Sequence, residues 1–406
     1  MMTFKLAWRN IWRNKRRTLI TAAAIGAAIM LAVFMRAMQV GMYDQLLGNI
    51  VGQFSGYVQV HGQGYWDEQT VDNSISFSDS LEEQILSVEQ VKAVVPRLET
   101  FVLSAHDDLT KGVLLQGIIP EKEKHMRDYT SSLVEGKMFE PGNNEIVIAK
   151  GIAKFYDIGI RDTLIFIGQG YHGASAAGKF VISGILDLKN PQLNMRYVMS
   201  DIESVRSMVG GENITSTLVL AMDKPDEEEK VFEALKAKLD SNSYEVMTWQ
   251  EMMPEIQQLI QADQAGDMIF IGILYMIISF GIFGTILMMT QERMYEFGVL
   301  LSIGMSRFRI IKVMVLESLF LALLGVLGGL AIVMPIIHYI KAHPIYMGDE
   351  IAEMMEDYGF TADLVTSTSL HLPMNHSLVI LIITMVLTIY PIYVIRKLDP
   401  IKAMKK

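Results

Sequence analysis

The chain of 406 residues contains no cysteine. Disulfides, thiol catalysis, cysteine-ligated zinc and a lipidated N-terminal cysteine are therefore excluded. Enzyme motifs are lacking as well: neither Gly-x-Ser-x-Gly nor His-Glu-x-x-His occurs, and no pair of catalytic carboxylates stands out. An enzymatic function thus has little support in the sequence.

One stretch comes close to a phosphate-binding loop. Gly173–Lys179 has the glycines and the lysine of that motif. The motif continues, however, with a Ser or Thr that binds magnesium and with a helix whose N-terminus faces the phosphates. Here Phe180 follows and opens a β-rich run, Phe180–Leu186. We therefore expect no nucleotide site in this segment.

The eight histidines do not form a metal-ligand pattern. His338 with His343, and His371 with His376, are pairs at i and i+5, whereas two ligands on one helical face are found at i and i+4. The sequence predicts solvated loop histidines and no metal site.

Charge is missing from four long segments, and this absence is the most informative feature of the chain. The segments are Thr18–Met35, Met268–Gln291, Ser318–Ile340 and Ser377–Ile395. Each is long enough, or nearly so, for a helix to cross a hydrocarbon core about 30 Å thick. Because the charged lead-in Met1–Arg17 is long, the first membrane helix is predicted to be a permanent anchor and not a cleaved signal peptide.

The charges outside these segments predict the orientation. The leader, the loop between spans two and three and the C-terminal tail are basic, whereas the large domain after span one is acidic. Since basic segments stay in the cytoplasm, both termini are expected there. The predicted parts are a leader at 1–17, spans at 18–40, 267–290, 313–340 and 377–395, an extracytoplasmic domain at 41–266, a cytoplasmic segment at 291–312, an outer loop at 341–376 and a tail at 396–406.

The leader carries aromatic and basic side chains at helical spacing. Phe4, Trp8, Ile11 and Trp12 fall on one face and the basic residues on another. This pattern predicts an amphipathic helix in the cytoplasmic interface, and the alternative is a topology signal only.

The domain at 41–266 is predicted to be mixed α+β, with two lobes and a chain that crosses back near 210–250. The expected strands are Tyr57–His61, Ala93–Arg97, Val113–Ile119, Glu145–Ala149, Thr163–Ile167, Phe180–Leu186 and Leu218–Met222. The expected helices are Leu81–Glu89, Asp201–Val209, Asp226–Leu239 and Trp249–Ala262.

The segment 291–312 is predicted to form a short amphipathic helix across the cytoplasmic end of the bundle. Its apolar residues at helical spacing are Phe297, Leu300, Leu301, Phe308 and Ile311, opposite Glu292, Arg293, Glu296, Ser302 and Arg309. The pattern breaks at 302–306, where Ser306 is expected to cap the next helix. Such a helix is either a docking surface or an interfacial turn.

The predicted spans hold almost no polar side chains. Glu317 lies near the start of span three, where we expect a structural salt bridge or a contact with the cytoplasmic helix. Gly325 with Gly329, and Ala23 with Ala27, have the spacing that permits close helix packing. Without a polar stripe, the bundle does not look like a solute pathway.

Three stretches resemble a known family. The sequence from Gln291 to Gly304, followed by Arg307 and by Glu317 at the next span, is similar to the E-R-x-x-E-x-G-x-L-x-x-I-G signature of FtsX-like ABC transporter permeases. Leu6–Arg17 resembles the leader of that family, and Asp399–Met404 resembles its C-terminal ending. Fainter similarity, in Asn144–Ala149 with Gly151 and in Gly184–Met199, indicates the lipoprotein-releasing, MacB-type branch.

The resemblance implies an integral membrane bundle of four helices, with a large extracytoplasmic α+β domain, similar to the MacB periplasmic core, between the first two spans. It also implies a coupling helix that docks into a groove of an ATPase, with polar contacts from Arg293 and Glu296 and an apolar anchor at Leu301. The residues implied in coupling are Glu292, Arg293, Glu296, Gly298, Leu301, Gly304 and Arg307, and those implied in span packing are Glu317, Gly325 and Gly329.

The same resemblance implies a mechanotransmission permease of the bacterial cytoplasmic membrane. Two such subunits, identical or paralogous, would bind two cytoplasmic ATPases and carry their closure through the helices to the outer domains. ATP and magnesium are expected on the separate ATPase chain, and no cofactor or metal on this one. The other implied partners are lipoprotein or other hydrophobic envelope cargo, a periplasmic carrier and membrane lipids, but no nucleic acid.

Two further classes of function stay open at this stage. One is an ATP-driven regulator whose outer domain activates a cell-wall hydrolase or senses a ligand without transport. The other is a membrane-anchored enzyme. The large outer domain and the four spans favour cargo handling over both.

Overall fold

The structure, a computed structural model, describes residues 2–188, 191–356 and 363–404. Residues 357–362 of the predicted outer loop and 405–406 of the predicted tail lie outside the described residues. The chain divides into two units. The helical unit comprises Met1–Asp44, Leu259–Tyr346 and Asp363–Lys406, and the β-rich unit comprises Gln45–Gln258 and Met347–Ala362.

The helices and strands are numbered in chain order. The described helices are α1 (Met2–Arg13), α2 (Lys15–Leu47), α3 (Tyr65–Glu68), α4 (Asp79–Leu86), α5 (Pro120–Glu123), α6 (Lys150–Tyr156), α7 (Pro191–Asn194), α8 (Ile202–Val209), α9 (Glu228–Lys238), α10 (Trp249–Met252), α11 (Pro254–Glu292), α12 (Met294–Ser302), α13 (Arg307–Ala342), α14 (Asp349–Glu356), α15 (His371–Leu387), α16 (Ile389–Arg396) and α17 (Pro400–Met404). The described strands are β1 (Val58–Gly62), β2 (Ile75–Ser76), β3 (Val91–His106), β4 (Leu109–Ile118), β5 (Leu133–Gly136), β6 (Glu145–Ala149), β7 (Thr163–Gln169), β8 (Ser175–Leu186), β9 (Tyr197–Asp201), β10 (Ile214–Thr215), β11 (Thr217–Met222), β12 (Tyr244–Thr248), β13 (Ile345–Tyr346) and β14 (Asp363–Leu364).

Within the described residues, four helical stretches are long and apolar enough to cross a membrane. They are Lys15–Ser55, Pro254–Glu292, Arg307–Ala342 and His371–Arg396. The four predicted spans are therefore confirmed, although each helix runs beyond its uncharged segment. Hydrogen-bonded helix continues past the apolar run because polar residues outside the hydrocarbon core also tolerate helical geometry.

The second span begins earlier in the chain than predicted. The expected helix Trp249–Ala262 is divided, because α10 ends at Met252 and α11 starts at Pro254. Proline suits the first turn of a helix, where its missing N–H is not needed, and it keeps the preceding residue out of helical geometry. From Pro254 the helix continues without a break into the second span.

In the helical unit, α2 and α13 approach closely through glycines. A Cβ atom placed on Gly329 would lie 2.5 Å from the carbonyl oxygen of Gly26, and one on Gly325 would lie 2.6 Å from Cβ of Ile25. Only glycine permits this backbone distance. The partner on span one is thus Gly26, whereas Ala23 and Ala27, which the sequence suggested, are exposed. Four-residue spacing alone does not say which face of a helix meets its neighbour.

The leader α1 packs against α13. Ala7 and Ile11 are buried in a cluster with Val313 and Phe320, and the rings of Phe4 and Phe320 meet edge to face with centroids 4.7 Å apart. The amphipathic helix is present, but its apolar face is covered in part by protein.

The β-rich unit is built on a mixed sheet. In the described part of the chain its strand order is β12-β1-β11-β3-β4-β9-β6-β8-β5, and β7 pairs with both β3 and β8. The pairing therefore closes a ring of β3, β4, β9, β6, β8 and β7. Alternate side chains of these strands, among them Val102, Leu164 and Phe180, pack together in one hydrophobic cluster.

A second cluster forms where the first half of β3 pairs with β11, and β11 with β1. It contains Leu81 and Ile85 of α4 and Val231 and Leu235 of α9. The chain returns to it through β11, α9 and β12, so the return near 210–250 that the sequence predicted is present. The continuation of β3 beyond Arg97 was missed.

Candidate functional site

The region between spans two and three folds as a short helix followed by a turn. α11 ends at Glu292, α12 follows as Met294–Ser302, and α13 begins at Arg307. The turn depends on Gly304, whose φ of +93° lies in the left-handed region that favours glycine. Ser306 takes the N-cap position of α13, but its side chain makes no capping hydrogen bond. The predicted break is therefore confirmed and the predicted serine cap is wrong.

A buried ion pair joins α12 to the third span. Arg293, just before α12, pairs with Glu317 of α13, which is fully buried. Asn10 of α1 donates from Nδ2 to Oε1 of Glu317 at 2.6 Å. The salt bridge expected for Glu317 is present, and it ties three helices together. Arg293, which the sequence placed on an exposed polar face, is only 8% exposed.

Acidic residues of the same region pair with the leader. Glu296 accepts hydrogen bonds from Arg13 at 2.7 Å and from Nε of Arg293 at 3.2 Å. Glu292 pairs with Arg17. Both carboxylates are partly exposed, so they stay accessible to a partner. The Glu296–Arg13 pair joins α12 to α1, and the Glu292–Arg17 pair joins α11 to α2.

The apolar side of α12 packs on the C-terminal part of the chain. Phe297 is 1% exposed, and Leu300 and Leu301 are partly buried against the same cluster. The fully packed members of this cluster are Phe297, Ile310, Met314, Ile395, Leu398 and Ala403. Gly298 is buried in α12, and Arg307 donates from Nη2 to the carbonyl oxygen of Leu398 at 3.1 Å.

The prediction that Phe308 shares one helical face with Phe297, Leu300 and Leu301 is wrong, because α12 ends at Ser302 and Phe308 lies in α13. Phe308 is 73% exposed and Ile303, in the turn, is 74% exposed. The helical register is interrupted at Gly304, so residues before and after it do not share one face. Tyr295, on α12, is 55% exposed. Three large apolar or aromatic side chains thus stand uncovered around α12.

A groove in this region is lined by one of these side chains, Tyr295. It has a volume of about 510 Å³ and is lined by Leu6 of α1 together with Tyr295, Val299 and Met305. Its lining is mostly apolar, with Asn10 and Arg13 among the polar exceptions. The groove, Tyr295, Ile303 and Phe308 are together called the α12 surface.

Sequence reasoning did not find part of this arrangement. Asn10, Arg13 and Arg17 were read only as leader residues, yet they bond to Glu317, Glu296 and Glu292. The available signal was an all-basic leader together with two acids, Glu292 and Glu296, in an otherwise basic loop. For Ile303 the signal was a large apolar residue in a turn that also contains Ser302 and Gly304.

The other sequence candidates are resolved as follows. The loop resembling a phosphate site leads into strand β8, not into a helix. No cluster of three potential metal ligands occurs among the described residues. His376 is not a solvated loop residue, since it lies in α15, is 9% exposed and bonds to the Tyr275 hydroxyl at 2.6 Å.

One surface of the β-rich unit is also apolar. On the face of β3, β7 and β8 that points away from the ring's core cluster, large apolar side chains are exposed, namely Phe101, Leu103, Ile165, Ile167 and Val181. Leu103 and Ile167 are direct neighbours in the strand pairing. Contiguous exposed apolar surface of this kind marks sites of interaction; we call it the sheet face.

Comparison with known families decides what kind of protein carries these features. Residues 18–238 match the MacB-like periplasmic core domain, which is more than half of the chain, and residues 268–400 match the FtsX-like permease C-terminal family. The chain belongs to the FtsX-like permeases. With its four apolar helices, this permease is a multi-pass protein of the bacterial inner membrane.

Curated relatives of this FtsX-like permease have a shared name. The permease is 18% identical over 322 residues to the lipoprotein-releasing system transmembrane protein LolC of Neisseria meningitidis serogroup B. The match covers 77% of this chain and 75% of the relative. To LolC of Xylella fastidiosa (strain 9a5c) it is 17% identical over 327 residues, 78% of each chain.

Solved structures similar to the permease include the periplasmic region of MacB from Actinobacillus actinomycetemcomitans. The identity is 13% and the TM-score 0.34, over 52% of this chain and 97% of that one. The extracellular domain of YknZ from Gram-positive bacteria is 15% identical with a TM-score of 0.34, over 48% of this chain and all of that one.

Proposed function

We propose that this permease couples a cytoplasmic ATPase, on a separate chain, to movement of its β-rich unit outside the membrane. The observation that carries the proposal is the α12 surface. Ion pairs fix α12 to both α1 and α13, yet the mostly apolar groove lined by α12 is open, and Ile303 and Phe308 are exposed. A partner that docks there would move three helices together.

The proposed orientation follows from charge. The leader, the α12 region and the tail are basic and would lie in the cytoplasm, and the β-rich unit would lie outside. Both chain termini are then cytoplasmic. A cytoplasmic ATPase would have access to the α12 surface in this orientation.

The residues assigned to coupling have different tasks in this proposal. Glu292 and Glu296 would contact the ATPase, and Leu301 would support the docked side chains from beneath. Arg293 would act from inside the protein, because its ion pair with Glu317 transmits displacement of α12 to α13. Gly298, Gly304 and Arg307 would shape α12 and its turn.

The chain itself is proposed to be non-catalytic. ATP and magnesium would bind to the ATPase, and a second permease subunit, identical or paralogous, would complete the complex. Membrane lipids would surround the spans.

The cargo is proposed to be a lipoprotein or another hydrophobic envelope component. Two observations support this: the relatives are named as lipoprotein-releasing proteins, and the β-rich unit exposes the apolar sheet face. The sheet face would contact the cargo or a periplasmic carrier, and force would reach it through stiff helices, not along a polar pore.

Replacement of Phe308 with Asp tests the coupling proposal. A carboxylate at an exposed site should not disturb folding, but burying it under a partner costs about 2 kcal/mol or more. We expect the variant to insert normally and to lose co-purification with its partner ATPase, together with stimulation of ATP hydrolysis.

The matched control is Phe101→Asp, the same change at a residue that is 57% exposed in the β-rich unit. It should retain the ATPase. Unchanged co-purification and stimulation by Phe308→Asp would show that the α12 surface is only an interfacial turn.

A further inference from the structure

A second groove opens between α2 and α11, with a volume of about 860 Å³. Its wall is apolar: Ile20, Phe280 and Met288 are 62%, 70% and 55% exposed. Gly281 and Gly284 add bare backbone, since a Cβ on either would meet no atom within 4 Å. The groove is therefore an open apolar channel along two membrane helices.

One end of this groove is strongly basic. Arg13, Lys15, Arg16 and Arg17 line it, against the single acid Glu292. Arg13 and Arg17 are already paired with Glu296 and Glu292. Lys15 and Arg16 are exposed and have no ion pair among the residues that the structure describes. Two cations are thus left to bind an anion directly beside an apolar wall.

We propose that this groove binds one anionic phospholipid, with its phosphate at Lys15 and Arg16 and an acyl chain along Gly281 and Gly284. Basic residues at the end of a membrane helix attract anionic headgroups by about 1 kcal/mol each. The exposed apolar wall and the basic end match the two parts of such a lipid. The proposal goes beyond the proposed function and needs only that α2 and α11 span the bilayer.

A second copy of this chain fits the groove less well. In a two-fold interface the same patch meets itself, so the cations at the basic end of one copy would face those of the other. Like charges brought together at an interface cost several kcal/mol. An anion between them, or in place of the second copy, removes this repulsion.

The test uses the full-length protein in detergent, incubated with equal amounts of phosphatidylglycerol and phosphatidylethanolamine that have identical acyl chains. Native mass spectrometry counts the bound lipids. We expect one phosphatidylglycerol to bind in preference to phosphatidylethanolamine. The variant Lys15→Gln/Arg16→Gln should bind it about thirtyfold more weakly, since two headgroup attractions are lost. The control Lys5→Gln/Arg9→Gln removes the same charge from exposed leader residues outside the groove and should bind normally.

A second pair of variants examines the acyl chain. Gly284→Leu places a side chain in the open groove and should abolish the preference, whereas Gly272→Leu, also in open space on α11 but outside the groove, should not. Equal binding of the two lipids by the wild type would overturn the proposal. So would equal losses in the two charge variants, or lipid binding unaffected by Gly284→Leu. A lipid-free wild-type dimer that Gly284→Leu converts to a monomer would show that the groove is a subunit interface instead.

Discussion

At the scale of single residues, one buried polar side chain in each unit leads to a testable prediction. Glu317 lies inside the helical unit, where its charge is balanced by Arg293 and by the Asn10 amide. His61 lies inside the β-rich unit, with Nδ1 donating to the Ser216 carbonyl at 3.1 Å. The surroundings of Glu317 supply a cation, and those of His61 supply a hydrogen-bond acceptor within a buried site. We therefore expect a measurable response to mutation of the first contact and to a change of pH at the second.

Replacing Arg293 with Met should destabilise the helical unit strongly. Glu317 would keep its burial and lose its cation, and breaking a buried ion pair in this way costs about 3–5 kcal/mol. The double variant Arg293→Met/Glu317→Met should recover much of the loss, because no charge is then left unpaired. Thermal unfolding in detergent measures the stability of the single and the double variant. The control is Arg9→Met, the same change at an exposed residue. A double variant less stable than the single one would contradict this role for the pair.

The stability of the β-rich unit should fall as the pH drops from about 6.5 towards 4. Burial lowers the pKa of His61 to about 4, and the ordinary value is about 6.5. Between these values the unfolded chain binds more protons than the folded one, so acid favours unfolding, by up to about 3 kcal/mol. Protonation is unfavourable because Nε2 has no hydrogen-bond partner among the described residues.

His61→Gln keeps an amide near Ser216 but cannot titrate. Urea unfolding of the full chain, followed by tryptophan fluorescence, should show a smaller loss of stability for this variant across that pH range. Identical pH dependence in both proteins would remove His61 as a cause.

At the scale of elements, the helices are joined at a few defined contacts. α12 reaches α13 through the Arg293–Glu317 pair, and α13 reaches α2 through Gly329 and Gly26. α1 is bonded to both α12 and α13. These contacts form a continuous connection from the α12 surface to the first and third spans.

Gly329→Leu should break that connection. A Cβ at this position already lies 2.5 Å from a Gly26 oxygen, so the larger side chain must force α2 and α13 apart. Gly328→Leu is a control one residue away, where a Cβ meets no atom within 4 Å. In a complex assembled with Gly329→Leu, we expect the ATPase still to bind ATP. The distance between spin labels on the two β-rich units should no longer change with the nucleotide. Gly328→Leu should retain this change.

The wild-type measurement decides the mechanism itself. If the distance between labels does not change between the nucleotide-free and ATP-trapped states, the helices do not act as levers. A static scaffold would then be the better explanation of the glycine contact.

At the scale of the whole molecule, the placement of charge predicts the orientation of the chain in the membrane. The cysteine-free chain is convenient here, because a single introduced cysteine is the only thiol. Cysteine at exposed Ser175 should react with an impermeant reagent in intact spheroplasts, and cysteine at exposed Ser302 should not. The opposite pattern would invert the orientation and remove the ATPase from the α12 surface.

The pattern of the sequence predicted much of the architecture. Runs of uncharged residues located the four spans, since transfer into lipid depends on composition along a helix and hardly on neighbours. Short runs of β-favouring residues located strands such as Glu145–Ala149 to the residue. Local signals failed where a proline divided one helix into two, at Pro254, and where β3 continued past Arg97.

What the sequence determined by itself was therefore the presence of four long apolar helices, the return of the chain near 210–250 and the family resemblance of the segment around α12. Only the tertiary structure decided that Arg293 is buried against Glu317, that Gly26 and not Ala23 or Ala27 meets Gly329, and that Phe308 is exposed. The physical reason is the distance along the chain over which each kind of signal acts. Hydropathy and turn geometry act over a few neighbouring residues, whereas an ion pair or a glycine contact joins helices that are hundreds of residues apart in the chain, so its partner is not visible in the local pattern.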